Sequence, residues 1–241
     1  MTTLVGILGW PVSYSLSPAM HNPAFAALGL DWAYVPLPTP PERLADAVKG
    51  IVAAGFAGAN VTIPHKTSVI ELCDEVEDVA RHAESVNTLV FRGGRVLGSS
   101  TDVVAIEQAV ADTSGSALVL GRGGSAKAAI AALTARGFDV TVVGRRDPGW
   151  PPDATGFDVV VNATPVKDEP VVLPQRGQVV VDLPYREDGT PTALAAAAGS
   201  AGARLVDGLE ILLWQGAASF ERWTGHPAPQ AAMRAALPFA K

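Results

Sequence analysis

The stretch Ala117-Leu-Val-Leu-Gly-Arg-Gly-Gly-Ser-Ala-Lys127 decides how this chain folds. Ala117–Leu120 predicts a short buried strand, and Ser125–Ala135 a helix of small residues that Gly137 stops. Between them Gly121, Gly123 and Ala126 stand in a G-x-G-x-x-A pattern, and the strand–turn–helix setting lifts that pattern above noise. Gly121 permits the tight turn, Gly123 lets the backbone approach a pyrophosphate, and Ala126 lets the helix pack closely on the strand. The N–H groups that open the helix, at Gly124 and Ser125, are offered to phosphate oxygens. The pattern predicts a Rossmann-type dinucleotide-binding domain. Taken alone it also suits an ordinary glycine-rich turn, in which Arg122 would be a solvated side chain and not a phosphate partner.

The next strand, Asp139–Val143, runs into Gly144-Arg145-Arg146-Asp147 about 20 residues beyond the glycines, where the ribose of a dinucleotide is read. An acidic side chain there accepts from a 2′-hydroxyl and repels a 2′-phosphate. Arg145 and Arg146 come first, and guanidinium groups favour the 2′-phosphate of NADP. Asp147 follows at once and is the candidate reader of an NAD ribose. NADP is the expected coenzyme, with NAD use left open.

Outward from this unit, strands and helices alternate, the mark of an α/β protein. Leu4–Leu8, Trp32–Leu37 and Ala59–Ile63 predict strands, and Pro18–Leu28 a helix for which Ser17-Pro18 reads as N-cap and first-turn proline. A second helix opens at Pro40-Pro41-Glu42. Glu71–Ala83 predicts an acidic helix, with Cys73 a packing residue and Asp74–Asp78 a solvated face. Ser85–Phe91, Gly93-Gly94 and Arg95–Leu97 predict a hairpin. Beyond the glycine-rich unit, strands are expected at Phe157–Asn162, Val179–Leu183 and Ala203–Val206. Helices are expected at Pro191–Ala198, Leu209–Trp223 and Gln230–Ala236, with Trp214 and Trp223 in core packing. Periodicity does not decide which domain the closing helices join.

The 241 residues make one large domain or two modest ones. With 48% hydrophobic and 17% charged residues, the chain is neither disordered nor fibrous. The single cysteine excludes an internal disulfide and points to a reducing, cytoplasmic setting. A net charge of −6 gives no sign of a general nucleic-acid binder. No run of about 18 apolar residues predicts a membrane span, and the start lacks a basic region and reads as a first strand, not a signal peptide. His21, His65, His82 and His226 have no metal-ligand spacing, so no metal is expected.

Four polar clusters fall at the ends of predicted elements in the N-terminal part: Ser13-Tyr-Ser-Leu-Ser-Pro18, Asn60-Val-Thr-Ile-Pro-His-Lys66, Ser85-Val-Asn-Thr88 and Ser99-Ser-Thr-Asp102. Hydroxyls and an amide suit a small polyhydroxylated ligand, and Lys66 and Asp102 are candidates for proton chemistry. In order and spacing these clusters resemble the shikimate dehydrogenase family, as do Asp182-Leu-Pro-Tyr-Arg-Glu-Asp-Gly-Thr-Pro191 and Asp207-Gly-Leu-Glu-Ile-Leu-Leu-Trp-Gln215. The resemblance spans nearly the whole chain.

It implies an N-terminal α/β substrate domain (residues 1–101), a Rossmann-type NADP domain (102–206) and closing helices (207–241) that return to the substrate domain, with the substrate in the cleft between domains. Ser15, Ser17 and Tyr185 would bind the substrate carboxylate, and Thr62, Asn87 and Gln215 the ring hydroxyls. Lys66 and Asp102 would be the catalytic pair. The coenzyme would be held at Gly121, Arg122, Gly123, Gly124, Ser125, Arg145, Arg146, Asn162, Thr164 and Gly208. The implied reaction is reversible NADP-dependent reduction of 3-dehydroshikimate to shikimate, in aromatic amino-acid biosynthesis, by a monomer or homodimer. Departures from the family pattern lie mostly on the coenzyme side. Arg122 stands for an alanine, Gly144-Arg145-Arg146 for Asn-Arg-Thr, Val103 and Glu210 for glycines and Ser100 for an asparagine. A glycine is missing after Thr164, and the linker from Arg146 to Phe157 is short enough for one helix to be absent. The alternatives are a quinate/shikimate or aminoshikimate dehydrogenase using NAD(P), and a non-catalytic ligand sensor on the same fold.

Overall fold

The computed structural model describes residues 1–239, which form two compact units. One is Met1–Thr101 with Leu213–Leu237, the other Asp102–Leu212 with the described end of the chain from Pro238.

The first unit is built on a six-stranded sheet in the order β2-β1-β3-β5-β6-β4. Its strands are β1 (Thr3–Gly9), β2 (Trp32–Pro38), β3 (Gly58–Val61), β4 (Glu75–Val76), β5 (Thr88–Arg92) and β6 (Arg95–Ser99). β1 runs parallel to β2 and β3, whereas β5 is antiparallel to β3 and β6. Helices α1 (Ser17–Ala27), α2 (Leu44–Ala53) and α3 (Asp78–His82) connect these strands. Leu44, Val48 and Ile51 of α2 pack with Leu8, Ala59, Val61 and Leu89 of the strands in one buried core. The spacing of those apolar residues is why α2 is helical and why that face turns inward.

The expected acidic helix over Glu71–Ala83 is not one helix. A 3₁₀ turn (Ser68–Leu72), the short strand β4 and α3 replace it. The Asp74 carboxylate accepts the Val96 N–H at 2.7 Å, and β4 pairs with β6, so sheet pairing overrides the local helical spacing. The run Asp74–Asp78 is therefore more than a solvated face. Glu77 takes hydrogen bonds from Ser99 Oγ at 2.8 Å and Arg222 Nη2 at 2.9 Å. Cys73 follows the 3₁₀ turn, where burial pushes its thiol up to about 11, as befits an inert packing residue.

The second unit carries a wholly parallel sheet in the order β11-β10-β9-β7-β8. Its strands are β7 (Ser116–Leu120), β8 (Asp139–Val143), β9 (Val159–Asn162), β10 (Val179–Asp182) and β11 (Arg204–Val206). Helices α4 (Thr101–Ala109), α5 (Gly124–Ala135) and α6 (Ala193–Ala201) accompany them. β7, β9 and β10 are buried along their length apart from Ser116, matching their near-continuous valine and leucine runs. The connection from β7 leads to β8 on one side and that from β9 to β10 on the other, which makes the neighbouring β7 and β9 the switch point of a doubly wound sheet. Residues 144–158 form neither helix nor strand, so the second unit lacks a helix there.

Helix α7 (Gly208–Thr224) runs through the division between the units, which falls between Leu212 and Leu213, and α8 (Gln230–Ala235) belongs to the first. Trp223 anchors α7 on the first sheet by donating its indole N–H to the Leu89 carbonyl at 2.9 Å. That approach passes over Gly58, where a Cβ would lie 2.3 Å from both Leu89 O and Trp223 Nε1. No helix among the described residues is long and apolar enough to cross a membrane.

Candidate active site

In the first unit the predicted substrate residues converge on one end of the sheet. The register sets Leu8 beside Val61, Asn60 opposite Thr88, and Thr88 opposite Ser99. The loop after β1 (Ser13–Ser17), the turn after β3 (Thr62–Lys66), Asn87 before β5 and Thr101 after β6 therefore all leave at the carboxyl end of β3. Backbone bonds tie them together: Thr62 N donates to Leu8 O and Val86 N to Lys66 O, both at 2.8 Å. His65, 1% exposed, fixes the Lys66 turn through a 2.7 Å contact between Nε2 and the Thr39 carbonyl. Lys66 itself is half-buried.

Asn87 is held from several sides. Its Oδ1 accepts the Thr101 N–H at 2.7 Å, and its Nδ2 donates to Thr101 Oγ1 at 2.9 Å and to Gln215 Oε1 at 3.3 Å. Sequence reasoning assigned no role to the buried network behind it. Asn60 accepts the Tyr34 hydroxyl at 2.8 Å and donates to Ser219 Oγ at 2.9 Å and the Asn87 carbonyl at 3.1 Å. Ser219 lies one helical turn beyond Gln215, so the same face of α7 carries both, a signal legible in the i, i+4 spacing. This lattice orients Asn87 and Gln215 and fixes Thr101, the residue before Asp102.

The N-cap expectation for Ser17 is corrected. Leu16 occupies that position and makes no side-chain bond, while Ser17 begins the helix with its N–H 3.3 Å from Ser15 Oγ. Two serine hydroxyls at the start of an eleven-residue helix suit a carboxylate ligand.

In the second unit the predicted coenzyme residues form a row along the carboxyl edge of the sheet. Leu120 is in register with Val143 and Asn162, and Asn162 with Asp182. Arg145–Arg146, Gly121–Ser125, Asn162–Thr164, Asp182–Tyr185 and Asp207–Gly208 thus follow five neighbouring strands, spread over ~19 Å at the usual strand spacing. Gly121 has φ +118°, and a Cβ there would lie 3.0 Å from the Ala163 carbonyl, so both backbone and space demand glycine. Gly123 caps α5 in an extended conformation with no side-chain cap bond and open space where its Cβ would be. A pyrophosphate fits that turn. Gly208 is explained differently: a Cβ would lie 2.5 Å from the Leu183 carbonyl, while Asp207 Oδ1 caps the helix by accepting from Leu209 and Glu210 N–H. Tyr185 and Gly208 line one small pocket of about 80 Å³ with Asp182, Thr192 and Asp207.

Asp182, 1% exposed, organises that end of the row. It accepts Asn162 Nδ2 at 2.7 Å and the Thr192 hydroxyl, while Asn162 Oδ1 accepts the Thr164 N–H and hydroxyl. One carboxylate thereby fixes both the Asn162–Thr164 loop and the loop carrying Tyr185. Burial pushes its carboxyl up to about 6, against the two hydrogen bonds and helped by the neighbouring Asp207 charge. Because the folded pKa lies above the unfolded 3.8, this group's stability contribution is present at low pH and lost as pH rises from 3.8 to 6. Asp182→Asn keeps both bonds, accepting from Asn162 and donating to Thr192 Oγ1. It is expected to stabilise the second unit by ~3 kcal/mol at pH 7 and to erase that slope. Urea melts from pH 4 to 7 check this, and an unchanged slope in the variant refutes it.

A parallel sheet with an open glycine-rich turn at its switch point, in a chain with a second α/β unit bearing a half-buried lysine among polar side chains, defines a dinucleotide-dependent oxidoreductase of two α/β units. Residues 7–89 match the shikimate dehydrogenase substrate binding domain, and 208–237 the shikimate 5′-dehydrogenase C-terminal domain. The NADP(+) shikimate dehydrogenase of Anaeromyxobacter sp. is 41% identical over 271 aligned positions, covering 98% of this chain and 96% of that protein. That of Rubrobacter xylanophilus is 40% identical, covering 98% and 95%. The Thermus thermophilus shikimate 5-dehydrogenase, solved with NADP(H) and shikimate, superposes with a TM-score of 0.86 at 33% identity and 98% coverage of both chains. The chain belongs to the shikimate dehydrogenase family. An alignment of 271 positions exceeds the 241 residues here, so that relative carries segments this chain lacks.

Proposed function

We propose that this chain catalyses the reversible NADP-dependent reduction of 3-dehydroshikimate to shikimate, as a cytoplasmic enzyme of aromatic amino-acid biosynthesis. The observation that carries this reading is the convergence of Ser15, Ser17, Thr62, Lys66, Asn87 and Gln215 on one end of the first sheet, with the coenzyme row in the second unit in support. The serine pair at the start of α1 receives the substrate carboxylate. Thr62, Asn87 and Gln215 hold ring hydroxyls, and the Asn87–Gln215 contact, at 3.3 Å, is long enough for a hydroxyl to replace. Lys66 stabilises the charge growing on the carbonyl oxygen and delivers the proton to it, and accepts the alcohol proton in reverse. Asp102 orients that lysine and the hydroxyl.

NADPH, when bound, supplies the hydride. Gly121–Ser125 would hold its pyrophosphate, Asn162 and Thr164 would line its path, and Arg145 and Arg146 would face its 2′-phosphate. The reading is tested by reduced-coenzyme formation from shikimate and from quinate, each with NADP and with NAD. Turnover is expected to be fastest with shikimate and NADP. Preference for quinate with NAD would move the chain to the quinate branch, and saturable shikimate binding without turnover would make it a sensor.

A further inference from the structure

Two departures in the second unit, Arg122 between the glycines and Gly144 after β8, turn out to be one arrangement. Arg122 reaches from the turn after β7 to the loop after β8, where Nε and Nη2 lie 3.1 and 2.5 Å from Asp147 Oδ2. The same oxygen accepts the Gly144 N–H at 2.8 Å. The stem of Arg122 lies over Gly144, where a Cβ would come within 3.0 Å of Nε, 3.1 Å of Cδ and 3.2 Å of Cγ. Gly144 has no positive φ, so it is needed for room and not for backbone freedom. Arg145 and Arg146, in the same loop, are exposed.

All three donors meet on the one oxygen Asp147 Oδ2, and the Arg122 guanidinium holds the carboxyl below the usual range. That oxygen is engaged within the protein, tying the two loops together. We propose that Asp147 is a positioning residue: with Gly144 clearing the way, it fixes Arg122 beside Arg145 and Arg146, so that a third guanidinium faces the 2′-phosphate of NADP. This rests on the reading that the 2′-phosphate lies at the end of β8. The Arg122–Asp147 pair also braces the glycine-rich turn against the loop that reads the adenosine end.

The test is a double-mutant cycle on the dissociation constants of adenosine 2′,5′-bisphosphate and of AMP, which differ only in the 2′-phosphate, measured calorimetrically for wild type, Arg122→Ala, Asp147→Ala and the double variant. The readout is the preference for the bisphosphate over AMP, which damage to the 5′-phosphate site common to both ligands leaves unmoved. Arg122→Ala is expected to cut that preference ~10-fold. Asp147→Ala is expected to cut it several-fold when Arg122 is present, although removing a negative charge should by itself favour an anion, and to leave it level or raise it when Arg122 is absent. An equal rise in both backgrounds would show Asp147 acting only as a repelling charge and overturn the proposal. A wild type without preference for the bisphosphate would overturn the underlying placement of the 2′-phosphate, and the proposal with it. Gly144→Asn completes the design, expected to lower the preference in wild type but not in the Arg122→Ala background.

Discussion

Replacing His21 with phenylalanine is expected to abolish most of the first unit's loss of stability between pH 6.5 and 3. His21 is fully buried on α1, with neither ring nitrogen hydrogen-bonded. Its imidazole stacks on Tyr34 at 4.6 Å with an interplanar angle of 2°, and Phe25, Phe220 and Trp223 complete an aromatic box. Such a site accepts the neutral ring and penalises the cation, so burial lowers its pKa from 6.5 to about 3. A depressed histidine pKa means that the unfolded chain binds the proton first. The stability is therefore present above pH 6.5 and is lost as pH falls towards 3, in total by ~5 kcal/mol. The absolute stability of His21→Phe also reflects packing of a slightly larger ring beside Gly216, but the pH slope does not. Trp150 is the one tryptophan in the second unit, so Trp150→Phe leaves fluorescence reporting on the first unit alone. Equal acid slopes with and without His21 in that background would falsify the assignment.

The two buried titrating groups oppose each other. Between pH 3.8 and 6, His21 makes its unit less stable on acidification and Asp182 makes the other more stable. A probe that averages over both units sees these slopes largely cancel, and only the single variants or unit-specific probes separate them.

What was legible in the sequence was whatever is local. The glycine-rich turn and the hairpin at Gly93-Gly94 declare themselves because a few adjacent residues satisfy the backbone constraint. What was not legible depends on a partner far along the chain. Glu71–Ala83 has helical spacing, yet pairing of β4 with β6 breaks it. Asp147 reads as a candidate ribose acceptor, and its pairing with Arg122, 25 residues earlier, shows only in the fold. Asp182 sits in a recognisable motif, but its burial, and hence its raised pKa, comes from α6 and β9 closing around it. The Asn60–Ser219 bond spans 159 residues, and the i, i+4 spacing that puts Ser219 on the Gln215 face of α7 does not name its partner.

Lys66→Ala is expected to lower kcat for shikimate oxidation by ~10²–10⁴-fold, the usual contribution of a positioned acid–base group, with KM little changed. The prediction needs the lysine's surroundings to survive its truncation, and they should. The Lys66 backbone is fixed by Val86 N donating to its carbonyl, and the turn by His65 on Thr39, neither of which uses the amine. Asn87, Thr101 and Gln215 are also tied to one another by hydrogen bonds of their own. A loss confined to kcat then reports on an interaction made in the transition state, whereas a rise in KM alone would make Lys66 a mere substrate anchor. Lys66→Arg separates charge from proton transfer. Arginine keeps the positive charge but does not give up a proton near neutral pH, so it should leave the rate low and KM unchanged. Recovery of kcat in Lys66→Arg would show that the charge, and not the proton, is what this position contributes. Saturating methylamine added to Lys66→Ala should restore part of the rate by supplying the missing amine, and Lys66→Ala turning over within threefold of wild type would remove Lys66 from the chemistry altogether.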